Sequence, residues 1–433
     1  MNERNSLRNV NGRLQIGGIT CSEVAKKFGT PLYVFDQVKI EDMCSTFVNA
    51  LNKHYGFGMV SYASKAFCCK EIYRLVNEFG MGADVVSGGE LYTALSVNFP
   101  CNKLIFHGNN KSYDELEFAV QNNLKYFVID SIEEANLLND ICSKAGKIQQ
   151  VLVRVNPGVE AHTHKFIQTA KVDSKFGFSI QDGTALEFIK VLTKMSNLKL
   201  VGLHCHIGSQ IFEKLSFVLA VEKMTDFYKE IYDSLNLSLE VLDLGGGFGI
   251  YYNEEDPKLQ LCDYEEYVRV ICDTLLECIN TKGIKKPYLI LEPGRSIVGE
   301  SGITLYTVGN VKEIKNVKKY VAIDGGMFEN PRFALYQAKY EIVSVDKMDE
   351  KSTIKYSIAG KCCESGDIIA EDVLLPETKS GDILAVLSTG AYNYSMASNY
   401  NRNLVPPVVM VKDGKCKTVV KPQTYQDLIR NDL

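Results

Sequence analysis

Eight times between Val60 and Arg295 a short apolar, β-branched run gives way to turn residues and then to a stretch with helical spacing. Strands separated by helices cannot pair as hairpins, so each must cross over to a parallel neighbour, and the rhythm dictates a parallel α/β sheet. The runs end near Lys65 (Val60 to Ala66), Ser87 (Ala83 to Val86), His107 (Leu104 to His107) and Asp130 (Phe127 to Ile129). Four more end near Asn156 (Val151 to Val155), Ser209 (Val201 to Ile207), Gly247 (Val241 to Leu244) and Arg295 (Tyr288 to Leu291). Eight such units predict a closed (β/α)8 TIM-like barrel.

Three intervening helices open with Ser-x-x-Glu, the spacing of a capping box: Ser87 with Glu90, Ser112 with Glu115, and Ser131 with Glu134. Ile72, Leu75, Val76 and Phe79 share one helical face, as do Leu137, Leu138 and Ile141, and these faces are expected against the barrel. The polar stretch Pro157 to Gly177, with His162 and His164, is too long for a routine connection and reads as an active-site lid. After Arg295 the texture turns to β-branched segments with tight turns. Val408 to Lys412, Asp413-Gly414 and Lys415 to Val420 form a hairpin signal. The expected organisation is therefore N-terminal strands over 1–36, with strand-like Arg13 to Ile19 and Leu32 to Phe35 packing on the β domain, a barrel over 37–295, and a β-rich domain over 296–433.

A chain of 433 residues exceeds the usual size of a single core, in keeping with two domains. Its 48 Lys+Arg are interspersed among 53 Asp+Glu, so no basic stripe marks a nucleic-acid surface, and a small-molecule partner is expected. Met1 to Asn11 lacks the apolar stretch of a signal peptide and no long apolar run follows, which points to the cytoplasm rather than a membrane. The 13 cysteines show no paired zinc spacing and read as reduced, mostly packing thiols.

In a barrel of this kind chemistry sits at the C-terminal ends of the strands, where the unusual polar residues of this chain fall. Lys65 closes the first run in Ser-Tyr-Ala-Ser-Lys-Ala-Phe, where burying an ammonium is costly unless the amine is a nucleophile with a partner or a lowered pKa. Gly245, Gly246 and Gly247 follow the seventh run and Gly294 the eighth, the two loops that commonly hold phosphate through backbone N–H groups. Glu292 ends an apolar run and needs a cationic partner, for which a protonated pyridine nitrogen would serve. His204 and His206 are expected to alternate on one strand with nothing at suitable spacing to complete a metal site, so that one imidazole stacks on a flat ring.

The segments Tyr62 to Lys65, Gly82 to Glu90, His204 to Gln210, Leu244 to Ile250, Glu292 to Arg295, Asn330 to Tyr336, Cys363 to Asp367 and Gly390 to Asn401 together resemble the barrel-type pyridoxal-phosphate decarboxylases, in particular the branch acting on diaminopimelate. The resemblance spans Pro31 to Asn401. It implies a pyridoxal 5'-phosphate cofactor carried by Lys65, with Glu292 on the pyridine nitrogen, His206 against the ring, and Ser209, Gly247, Gly294 and Tyr392 around the phosphate. For the substrate it implies Arg295, Arg332 and Tyr336 near the distal carboxylate and Glu364 near the distal ammonium, with Tyr392 close by. It also implies a homodimer in which Cys363 and Glu364 enter the neighbouring subunit's site.

On this reading the pyridinium accepts the electron pair left when carbon dioxide departs, and gripping the far end of the substrate selects the bond that breaks. Lys65 and Cys363 are both candidates to return the proton. The expected reaction converts meso-2,6-diaminopimelate to L-lysine and carbon dioxide. Rival readings are a decarboxylase of ornithine, arginine or another basic amino acid, an amino-acid racemase on the same barrel, and a non-catalytic cofactor-binding regulator.

Overall fold

The computed structural model describes residues 7–159 and 175–433. The chain divides into two compact units: one runs from Met43 to Gly249 and from Leu259 to Gly294, and the other takes the chain up to Asp42 together with Ile250–Lys258 and Arg295–Leu433.

The first unit is a barrel of eight parallel strands: β1 (Gly58–Ala63), β2 (Gly82–Val85), β3 (Leu104–Phe106), β4 (Tyr126–Ile129), β5 (Gln149–Asn156), β6 (Leu198–His204), β7 (Val241–Asp243) and β8 (Tyr288–Leu291). β8 pairs with β1 and β4 with β5, which closes the cylinder. All eight expected runs are strands, but two stop three residues short of the sequence reading. β1 ends at Ala63, leaving Lys65 on a single 3-10 turn (Ser64–Ala66). β6 ends at His204, so His206 lies beyond the strand and does not alternate with His204 on it. Met59, Ile105, Val128, Leu152, Val201, Val241 and Ile290, drawn from seven strands, pack together as a buried apolar cluster. Each fully buried aliphatic side chain contributes about 1.5–3 kcal/mol. Met59 also explains a gap in the pattern, because a Cβ on Gly82 would lie 2.6 Å from its sulfur.

The helices between strands begin as the serines predict, with one refinement. Ser112 and Glu115 form a reciprocal box. Ser87 and Ser131 accept the N3 amide, but Glu90 and Glu134 reach one residue further back, to the N–H of Val86 and of Asp130. Glu134 is thereby drawn inside, where Lys111 meets it at 2.6 Å while also donating to the carbonyls of Gly108 and Val128. All three ammonium protons are used, which is what a buried lysine requires.

The second unit is β-rich. Leu32–Asp36 lies between Gly302–Ile314, antiparallel, and Val408–Lys412, parallel, so an N-terminal strand sits inside a sheet otherwise built from the C-terminal third. The hairpin of Val408–Lys412 and Lys415–Val420 turns at Asp413-Gly414 with both φ positive, as that dipeptide favours. Arg13–Ile16 does not join the large sheet. It pairs with Leu7–Val10 and Ile19–Thr20 in a small sheet of its own, tied on by the Leu14 N–H to the Val345 carbonyl at 2.7 Å. No helix among the described residues is long and apolar enough to cross a membrane. Most of the expected lid, with His162 and His164, falls outside the described residues.

Candidate active site

Each barrel strand delivers a polar side chain at or just past its C-terminal end: Lys65 after β1, Asp84 on β2, His107 after β3, Asp130 after β4, Arg154 on β5, His204 on β6, Asp243 on β7 and Glu292 after β8. Inward-pointing ends of eight strands converge by construction, so residues scattered over more than half the chain become neighbours.

Glu292 is the hub. His107 Nε2 stands 2.7 Å from one carboxylate oxygen and His204 Nε2 3.4 Å from the other, with all three side chains buried. The two imidazoles cross edge to face at 4.7 Å. Burial opposes ionisation of Glu292, but the two histidines outweigh it and hold the carboxyl well below its usual range. Burial pushes both histidines the other way, His204 to about 3. Both are thereby driven toward the neutral form, with His107 Nε2 close to the carboxylate but not aligned as a hydrogen bond to it.

Asp243 completes the cluster, its ligand atom lying with those of His107, His204 and Glu292 inside a 4.8 Å span. The expectation that nothing joins His204 in such a set is thus corrected: His107, Asp243 and Glu292 do, from three other strands, and His206 does not. Burial and then the charge of Glu292 push Asp243 well above the usual carboxylate range, and Asp84 likewise, although Lys65 pulls Asp84 back. Within the group the shifts therefore favour Glu292 as the anion, with Asp243 driven toward its neutral form. Buried carboxylates need a cation, and a protonated pyridine nitrogen fits this one.

Lys65 is exposed rather than buried, contrary to the argument from its apolar flanks, because the 3-10 turn lifts it off the strand. Its charge reaches Asp84 and Glu90 and, after burial, is the largest influence holding His206 neutral. His206 Nδ1 accepts the Gly246 N–H at 3.4 Å, which orients the imidazole against the loop after β7. That loop needs its glycines for close approach: a Cβ on Gly246 would lie 2.0 Å from the Glu292 carbonyl, and Gly247 has φ +103. Gly294 meets Ala63 in the same way at 2.6 Å. Ser209 lies on the bend after His206, in the same stretch of chain.

The second unit gathers the arginines. Arg295 opens a short helix (Arg295–Val298) and Arg332 another (Arg332–Tyr336), and both are buried. The Tyr392 ring, on backbone with φ +63, takes the Arg295 guanidinium at 4.6 Å and the Arg332 guanidinium at 5.4 Å. Tyr336 covers Arg332 at 5.4 Å and Tyr252 covers Arg295 at 5.6 Å. Two buried guanidiniums beside one tyrosine ring give this part of the unit a positive character suited to an anion. Cys363 and Glu364 stand exposed on the turn between Ile354–Ala359 and Ile368–Leu375. All 13 cysteines are free, and Cys363 and Cys262 are the exposed ones.

The sequence reading missed Asp84, Asp243 and Tyr252. A signal existed, since Asp84 and Asp243 each interrupt an apolar run where a strand needs none.

Residues 38–299 match the family model for the pyridoxal-binding domain of pyridoxal-dependent decarboxylases. The chain is 47% identical to the diaminopimelate decarboxylase of Bacillus subtilis, covering 99% of this chain and 97% of that one, and 47% identical to that of Staphylococcus aureus, covering 98% of each. It superposes on the diaminopimelate decarboxylase of M. jannaschii in complex with L-lysine with a TM-score of 0.90 and 35% identity, over 100% of this chain and 99% of that one.

Proposed function

The chain belongs to the diaminopimelate decarboxylases, within the pyridoxal-dependent decarboxylases, and from that premise we propose how its own residues serve the reaction. The enzyme uses pyridoxal phosphate to convert meso-2,6-diaminopimelate to L-lysine and carbon dioxide. The full-length identity to two curated decarboxylases carries this conclusion.

When bound, the cofactor supplies a sink for the electron pair left by the departing carboxylate. Lys65 is the amine placed to hold it, on the turn just past the C-terminal end of β1 with its side chain open to solvent. Glu292 serves the pyridine nitrogen, its ionised form favoured by the neighbouring His107 and His204. His206, oriented by Gly246, lies against the ring, and Ser209, Gly247, Gly294 and Tyr392 serve the phosphate.

At the far end of the substrate, Arg295, Arg332, Tyr336 and Tyr392 receive the distal carboxylate, and Glu364 the distal ammonium. Fixing that end orients the scissile carboxylate and so selects the bond that breaks. Lys65 or Cys363 then delivers the proton to the α-carbon. The exposure of Cys363 and Glu364 suits a homodimer in which they complete the neighbouring subunit's site, in the cytoplasm.

The test is to incubate protein and pyridoxal phosphate separately with meso-diaminopimelate, ornithine and arginine and to assay amine and carbon dioxide. Lysine formed from diaminopimelate alone supports the assignment. Product from ornithine or arginine alone removes the distal-carboxylate role of the arginines. Sedimentation equilibrium tests the dimer, and a monomer that retains full activity overturns the shared site.

A further inference from the structure

Cys363 and Glu364 stand exposed, so packing does not fix the turn that carries them, and hydrogen bonds must. The Cys362 N–H donates to the buried Asp367 at 2.7 Å, within the turn itself. The next N–H, of Cys363, donates to Asn401 Oδ1 at 2.8 Å, 38 residues further along the chain.

Asn401 sits on costly backbone. Its φ is +52 and that of Arg402 is +57, a left-handed pair that asparagine tolerates and arginine does not favour. The end of the chain holds the pair there. Arg402 donates to the Leu428 carbonyl at 2.8 Å and to Asp432 at 2.9 Å, on and just beyond the helix Tyr425–Ile429. Gln423 accepts from Asn399 Nδ2 at 2.6 Å and from the Val405 N–H at 2.9 Å, so it ties down the chain on both sides of Asn401. Asn403 Nδ2 reaches Cys362 Sγ at 3.7 Å, a second link back to the exposed turn.

We propose that Asn401 and Arg402 are positioning residues: the chain end clasps Arg402, which keeps Asn401 in the strained turn from which it fixes the backbone carrying Cys363 and Glu364. This rests on the reading that those two side chains serve the substrate.

The experiment uses the full-length holoenzyme and four variants. Asn401→Gly adopts the same φ at no cost but lacks the acceptor, whereas Asn401→Asp keeps it. Arg402→Ala keeps the strain without the clasp, whereas Arg402→Gly removes both. Losing a neutral hydrogen bond shifts an equilibrium by roughly 2- to 10-fold. Amide hydrogen exchange in the peptide 361–367 should quicken by that factor in Asn401→Gly and Arg402→Ala. In the same two variants kcat/KM for diaminopimelate should fall by as much, with cofactor affinity unchanged. Asn401→Asp and Arg402→Gly should recover most of both losses.

Unchanged exchange in Asn401→Gly, faster exchange with unchanged kcat/KM, or a loss in Arg402→Gly as deep as in Arg402→Ala would overturn the proposal. If Arg402→Ala fails to fold, judged by cofactor absorbance and thermal melting, the Asn401 pair carries the same expectation. Wild-type kinetics in both Cys363→Ala and Glu364→Gln would instead overturn the reading on which the inference stands.

Discussion

Glu292 and Asp243 are both buried carboxyls in one cluster, yet their acidities are driven in opposite directions, Glu292 down by the two imidazoles beside it and Asp243 up by burial and the charge of Glu292. The contrast gives a paired prediction. Glu292→Gln keeps the shape and removes the anion, and leaving a buried cation unpaired costs 2–5 kcal/mol, so kcat should fall by about 10²-fold or more. Asp243→Asn replaces a carboxyl driven toward its neutral form by an amide of the same size, and turnover and cofactor affinity should stay close to wild type. Steady-state kinetics and cofactor titration of the two variants check this. A drop in Asp243→Asn as large as that of Glu292→Gln would show that Asp243 is ionised.

At the scale of elements, the barrel was legible because apolar runs and capping serines are local signals, and all eight strands stand where the runs do. The convergence of His107, His204, Asp243 and Glu292 was not, since it exists only once strands far apart in sequence close into a cylinder. Local reasoning also failed where a strand stops early, as at Lys65 and His206, because apolar flanks do not reveal a 3-10 turn or a bend. The Lys111–Glu134 pair shows how such closure is secured, joining the start of one helix to the start of the next. Lys111→Met strands the Glu134 charge in the interior, and breaking a buried pair from one side costs about 3–5 kcal/mol. Lys111→Met with Glu134→Leu removes both charges and should recover much of that loss. Denaturant midpoints of the single and double variants decide the matter, and a double variant no more stable than Lys111→Met would contradict it.

For the whole molecule, the buried groups set opposing limits on stability as pH changes. Burial drives His204 down to about 3 from 6.5, so its contribution is complete above the unfolded value and is lost as pH falls from about 6.5 toward 3. Glu329, fully buried in the β-rich unit, behaves in the opposite sense. Burial, moderated by the Gly326 N–H it accepts at 2.8 Å, holds it up at about 8 from 4.5. A raised folded value means that the stabilisation is complete below about 4.5 and is lost as pH climbs through 8. At about 1.4 kcal/mol per unit this amounts to on the order of 4–5 kcal/mol across the window. Asp84 and Asp243 slope the same way within the barrel. Stability should therefore peak at mildly acid pH. Glu329→Gln, which keeps an acceptor for Gly326 without an ionisable proton, should flatten the alkaline limb and leave the acid limb as it is. Denaturant unfolding of both proteins from pH 4 to 9 reads this directly, and equal slopes between pH 5 and 8 would place the alkaline loss in the barrel carboxyls rather than in Glu329.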